Sequence, residues 1–197
     1  LQVVDLSSEG VSIEHQENID ESRGHFSITF NNVKSDAIGD ESSGWEMYES
    51  IINQAAVLFS YEQIGGSQAT LDMAINYAKE RYAFGRPIGS YQAIKHKLAD
   101  MYIALTLAKS NCYYAALALS TNSADLPSAS ATARVSSTKA YQLCSKENIQ
   151  THGGNGFTWE YDCHMFYKRS KLLSLNIGSL SNWREKLVTS LEQSNIN

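Results

Sequence analysis

The sequence predicts a mainly α fold, an up-down four-helix bundle preceded by a small β remnant. Three observations carry this. Apolar residues recur at helical spacing from about residue 40 onward. Only two prolines, Pro87 and Pro127, interrupt the chain, so long stretches lack the strongest helix breaker. The first 35 residues instead place β-branched and aromatic residues in short, partly alternating runs. The expected organisation is a β remnant over residues 1–38 and a helical bundle over residues 39–197.

In the β part, LQVVDL, GVSIEH and GHFSITFNNV read as three strands, with SSEG as the turn between the first two. Three short strands make a poor domain alone, and they read as the tail of a larger sheet. Helical signals begin at Ser42 and Ser43, with Glu46 at capping-box distance from Ser43. Trp45, Tyr48, Ile52, Ala55 and Phe59, then Leu71, Ile75 and Ala78, keep three-four spacing. Gly65 and Gly66 break that pattern, as a close helix crossing or as a hinge. GRPIGS at 85–90 reads as a loop. A second long helix, about 91–121, carries Ile94, Leu98, Met101, Leu105, Ala108, Cys112, Ala115 and Leu119. A third runs from about 127 to 151, with Pro127 in its first turn. Segments at about 160–175 and 179–193 supply the fourth rod. Short connections make successive long helices antiparallel.

Composition excludes several classes. With 43% apolar residues in 197, the chain is able to bury a core. Sixteen basic against 21 acidic side chains give a formal charge of −5, which argues against a nucleic-acid surface. No apolar run is long enough for a membrane span. LQVVDLSSEG has neither the basic start nor the apolar core of a secretory signal. Cys112, Cys144 and Cys163 are sparse and odd in number, which suits reduced thiols in a cytoplasmic protein. No Cys/His cluster has zinc spacing.

Two stretches could carry chemistry. In ERYAFGRPIGSYQAIKHKLADM, residues 80–101, Arg81 stands at a helix end and Phe84 beside a glycine turn. An arginine there clamps phosphate and an aromatic offers a stacking face. The plainer alternative is a salt bridge and a ring that plugs the bundle end. In QTHGGNGFTWEYD, residues 150–162, Gly153, Gly154 and Gly156 break a helix. Bare backbone N–H groups at such a corner accept phosphate oxygens; the alternative is a helix C-cap and a tight turn.

Taken together, YAKERYAFGRPIGSYQAIKHKLADMY and IQTHGGNGFTWEYDCHMFYKRSK resemble the C-terminal half of the acyl-CoA dehydrogenase family. IDESRGHFSITFNNV resembles the last strands of that family's middle β domain, so the resemblance spans nearly the whole chain. It implies a fragment, or one part of a split protein. It also implies FAD held between subunits of a tetramer, an acyl-CoA substrate that loses an α-proton and a β-hydride, and an electron-transfer flavoprotein as electron acceptor. By the same resemblance Arg81, Phe84, Gln92, Gln150 and Gly154 touch the FAD of a neighbouring subunit.

The resemblance fails at the catalytic base. The usual glutamate position falls on Ile177, followed by Gly178. The minority position, in the first long helix, falls on Ala55, and the arginine that often accompanies it on Ala56. None of these side chains takes a proton. Among nearby acids Glu62 is the least remote substitute, while Glu160 is expected to bond to the turn. GFTWEYDCHMFYKRSK is similar to the base-less chain type of two-gene enzymes that act on bulky acyl-CoAs such as steroid side chains. The expected function is the C-terminal, FAD-binding and oligomerising part of such a dehydrogenase. The alternative is a catalytically silent structural subunit. A homo- or hetero-oligomer, arranged as a dimer of dimers, is expected in either case.

Overall fold

A computed structural model describes residues 1–40 and 42–196. It forms two compact units, Leu1–Ile52 and the chain from Asn53 onward.

In the first unit, β1 (Gln2–Val3) pairs with β4 (Asp36–Ala37), and β2 (Val11–Gln16) pairs antiparallel with β3 (His25–Phe30) in the register Val11 to Phe30 and Gln16 to His25. The alternation read from the sequence marks β2 and β3 well. The two-residue β4 has too short a pattern to show. The entry to the following helix also differs from expectation. Ser43 Oγ donates to the Asp40 carbonyl, and Asp40 Oδ1 accepts the Ser42 and Ser43 N–H groups. The cap is therefore an aspartate turn rather than a box between Ser43 and Glu46.

Helix α1 (Gly44–Glu80) runs unbroken through Gly65 and Gly66. A Cβ on Gly66 would lie 2.4 Å from the Tyr141 ring, whereas one on Gly65 would meet nothing within 4 Å. Gly66 is thus the close crossing and Gly65 is incidental. The helices that follow are α2 (Gln92–Ser120), α3 (Leu126–His152), α4 (Cys163–Leu173) and α5 (Leu180–Ile196).

Cross-contacts set their directions. Lys109 Nζ donates to Gln68 Oε1 at 2.6 Å, and Tyr61 meets Tyr113 edge-on, so α2 runs antiparallel to α1. Gln63 bonds Thr138 at 3.1 Å, and Tyr77 stacks on His152, so α3 runs parallel to α1. Ser145 bonds Ser170 at 2.9 Å while Arg134 reaches the Leu173 carbonyl, so α4 returns antiparallel to α3. α5 also packs on α3.

Two seams meet in the bundle. One is apolar: Val57, Ile64, Leu71, Met101, Leu105, Ala108, Cys112 and Cys144. The spacing of α2 places its part of that core correctly. The other seam, between α1 and α3, is polar and fully buried, with Ser60, Gln63, Ser67 and Thr70 facing Ser130, Arg134, Ser137 and Thr138. Trp45 and Tyr48, which the three-four spacing placed inward, are exposed. The three cysteines are free and buried, and burial pushes the Cys112 and Cys144 thiols up to about 12, where they are inert. No helix among the described residues is long and apolar enough to cross a membrane.

Candidate functional site

The up-down-up order brings the end of α1, the start of α2, the end of α3 and the start of α4 to one end of the bundle. The two sequence stretches singled out above therefore converge. Tyr77 of α1 stacks on His152 of α3 with ring centroids 4.1 Å apart, and Lys97 of α2 forms an ion pair with Glu147 of α3.

Residues 82–90 are more ordered than the loop expected for 85–90. β5 (Tyr82–Ala83) and β6 (Arg86–Pro87) form a small hairpin, followed by a single 3₁₀ turn, Ile88–Ser90. Phe84 and Gly85 make the bend with φ of 53° and 81°. The hairpin is pinned to the start of α2: Tyr91 OH donates to the Ala83 carbonyl at 2.9 Å, and the Arg86 guanidinium lies 4.0 Å from the centre of the Tyr91 ring. Arg86 is thereby accounted for. Arg81 is exposed, and its guanidinium has no partner among the described residues. Phe84 is 96% exposed, and Gln92 and Gln150 are exposed as well.

The glycine corner separates into three roles. Gly153 caps α3 at φ 60° and ψ −135°, its N–H returning to the Gln150 and Ile149 carbonyls. Left-handed backbone of that kind favours glycine. Gly156 presses against α3, where a Cβ would lie 2.7 Å from the Ile149 carbonyl oxygen. Gly154 has neither reason. It is exposed, its φ is outside the left-handed region, and a Cβ there would meet nothing within 4 Å. The fold accounts for two of the glycines and leaves Gly154 unexplained. An exposed guanidinium, bare backbone and an exposed ring lie at the same end of the bundle, groups of the kinds that take an anion and an aromatic ring.

The base positions are apolar in place as in sequence. Ala55 is half-buried and Ala56 fully buried in the bundle. Ile177 sits in the turn after α4, half-buried, at φ 54°. A β-branched residue in left-handed backbone is a genuine outlier, and two groups hold it there. Arg134 Nη2 donates to the Asn176 carbonyl at 2.8 Å and to the Leu173 carbonyl, and Trp183 Nε1 donates to the Ile177 carbonyl at 3.1 Å. The fully buried Arg134 also donates to Gln63 Oε1 at 2.8 Å, and no carboxylate faces it among the described residues. Burial lowers its pKa to about 10, so it stays cationic at neutral pH. Glu62 is engaged by Arg169 at 2.7 Å, which removes it as a substitute base. Glu160 is exposed and makes no bond to the turn, contrary to expectation.

Tyr77, His152, Asn155 and Arg134 were not singled out from the sequence. Tyr77 carried a signal, since it lies one helical turn before Arg81. Arg134 stands among serines and threonines spaced three or four apart on α3, a polar stripe that reads as surface until α1 is found to carry a matching one.

Comparison with known proteins agrees with this architecture. The family model "Acyl-CoA dehydrogenase, C-terminal domain" matches residues 42–184. The chain is 41% identical over 120 residues to acyl-CoA dehydrogenase IpdE2 of Mycobacterium tuberculosis, covering 61% of this chain and 36% of that one. It is 35% identical over 149 residues to acyl-CoA dehydrogenase FadE34 of the same organism, covering 75% of this chain and 21% of the relative. The chain thus spans about a third or less of the curated relatives it matches here. The solved Tcur3481-Tcur3483 steroid ACAD G363A variant superposes with a TM-score of 0.88 at 24% identity, over 100% of this chain and 52% of that one. A family model that covers most of the chain, on a bundle whose motifs meet at one end, establishes that this chain belongs to the acyl-CoA dehydrogenase family and carries its C-terminal domain.

Proposed function

We propose that this chain is the C-terminal part of a flavin-dependent enzyme that dehydrogenates an acyl-CoA thioester between its α and β carbons. Its own contribution is FAD-binding and oligomerisation surface, without the base. Gly154 carries the reading: it is a glycine that the fold does not require, at the same bundle end as an arginine that the fold does not use. When bound, FAD supplies the hydride acceptor. Arg81 would hold its diphosphate through the guanidinium fork, and Gly154 would let backbone approach it. Phe84 offers an apolar face, and the Gln92 and Gln150 amides offer hydrogen bonds.

Neither of the family's base positions carries a proton acceptor here, so in this reading the carboxylate that takes the α-proton lies outside these residues, on a partner chain. This supports a hetero-oligomer, a dimer of dimers in which the partner carries the glutamate. The resemblance of GFTWEYDCHMFYKRSK to the base-less chain type points to a bulky, steroid-type acyl group, and so does the name of the steroid ACAD that shares the fold. An electron-transfer flavoprotein then takes the electrons, in the cytoplasm. A silent structural subunit is the second reading, favoured by the apolar Ile177, Ala55 and Ala56.

The test is flavin retention by the full-length protein purified with its partner. Arg81→Ala and Gly154→Ala are expected to lower bound flavin at least ten-fold. Gly154→Ala should leave the unfolding temperature unchanged or raised, because nothing crowds that position. Flavin content unchanged in both variants would transfer the case to the structural subunit.

A further inference from the structure

The two halves of the proposed flavin grip come from distant parts of the chain. Arg81 follows α1, and the corner follows α3. A ligand that touches both requires them in fixed register, and one side chain links them.

Tyr77 makes three connections. Its backbone carbonyl accepts the Arg81 N–H at 2.8 Å, the last helical bond before the hairpin. Its ring lies against the His152 imidazole with centroids 4.1 Å apart at 27°. Its hydroxyl accepts from Asn155 Nδ2, inside the glycine corner, at 3.0 Å. Tyr161, just after the corner, meets both rings edge-on, at 5.7 Å to Tyr77 and 5.3 Å to His152. His152 is itself fixed: it is 5% exposed, and Nδ1 donates to the Asn148 carbonyl at 2.9 Å. The corner is also held within itself, where the Asn155 carbonyl accepts the Thr158 N–H at 3.1 Å and hydroxyl at 2.8 Å, but these bonds do not reach α1. Gly153 and Gly154 carry no side chain, so Asn155 supplies the one side-chain bond from the corner to α1 among the described residues.

We infer that Tyr77 is a positioning residue of the flavin grip: its hydroxyl and ring hold the corner in register with Arg81, and affinity for the flavin dinucleotide depends on that hydroxyl. This rests on the functional reading above. Tyr77→Phe removes the hydroxyl and keeps the stack, and Asn155→Ala removes the donor. Because Tyr77 is only half-buried, neither change threatens folding. One lost neutral hydrogen bond that acts through geometry weakens binding by about three- to ten-fold.

The experiment measures FAD dissociation constants of the flavin-stripped, full-length assembled protein, together with amide hydrogen exchange over residues 154–157 before flavin is added. Tyr77→Phe and Asn155→Ala are expected to weaken FAD about three- to ten-fold each. The double variant should do no worse than either single one, with faster exchange at the corner and a similar unfolding temperature. If both leave FAD affinity and corner exchange unchanged while Arg81→Ala weakens binding, the positioning role is wrong and the flavin reading stands. If Arg81→Ala and Gly154→Ala also leave affinity unchanged, the flavin reading itself fails and the positioning role with it.

Discussion

His152 shows how one residue at the bundle end couples burial to pH. Desolvation lowers its pKa below the ordinary value of 6.5, and the hydrogen bond to Asn148 opposes that only in part. The unfolded chain therefore binds the proton more readily than the folded one. The neutral imidazole stabilises the fold fully above the unfolded value, and this contribution is lost as pH falls through the lower folded one. Urea midpoints taken from neutral pH down to about pH 5 should fall more steeply for the native sequence than for His152→Phe, which keeps the stack and does not titrate. Equal slopes would place the acid sensitivity elsewhere. The residue scale is also where sequence legibility was most uneven. The family resemblance points to Arg81, Phe84, Gln92, Gln150 and Gly154, and helix-end and glycine signals independently single out Arg81, Phe84 and Gly154 among them. The structure leaves all five exposed. Tyr77 and His152 were not readable, because an aromatic pair 75 residues apart has no local pattern.

At the scale of the element, α1 shows that a glycine pair has no single meaning. Gly66 lies under the Tyr141 ring and Gly65 in open space. Gly66→Ala is expected to destabilise by about 1–3 kcal/mol through overpacking of the crossing with α3. Gly65→Ala is expected to stabilise by about 0.5–1 kcal/mol through helix propensity. Thermal or urea unfolding of the two single variants checks both signs, and the same sign in both would refute the assignment. The period of the apolar residues identified α2 nearly residue by residue, because that helix buries an apolar stripe. It placed Leu71, Ile75 and Ala78 of α1 correctly but missed the rest of the inner face, because Ser60, Gln63, Ser67 and Thr70 supply four of that helix's eleven buried residues. A buried polar seam is invisible to hydropathy. It exists because its hydroxyls return to their own helix, as Ser60 does to Ala56 and Ser67 to Gln63, each at 2.7 Å, and so enter the core already satisfied.

For the whole molecule, the telling surface is the outer face of α2. Ile103, Leu107, Tyr114 and Leu117 form a stripe at helical spacing, each more than half exposed, opposite the buried face of Met101, Leu105 and Ala108. A helix apolar on both sides is covered on both sides in its working state, which supports the proposed oligomer. Leu107→Glu is expected to lower the mass of the assembly in sedimentation analysis, while changing the stability of the chain's own fold by about 0.5 kcal/mol or less. An unchanged mass would move the interface to another face.

The clamp on the turn after α4 has a consequence for the birth of the chain. Arg134 precedes its carbonyl acceptors Leu173 and Asn176 by 39 and 42 residues. At translation rates of about 5–20 residues per second, the guanidinium waits about 2–8 seconds for them. Until they arrive, α3 has no complete place to put that charge. The clamp on that turn therefore closes only after residue 176 has been made, although the Gln63 bond to the same guanidinium is available earlier.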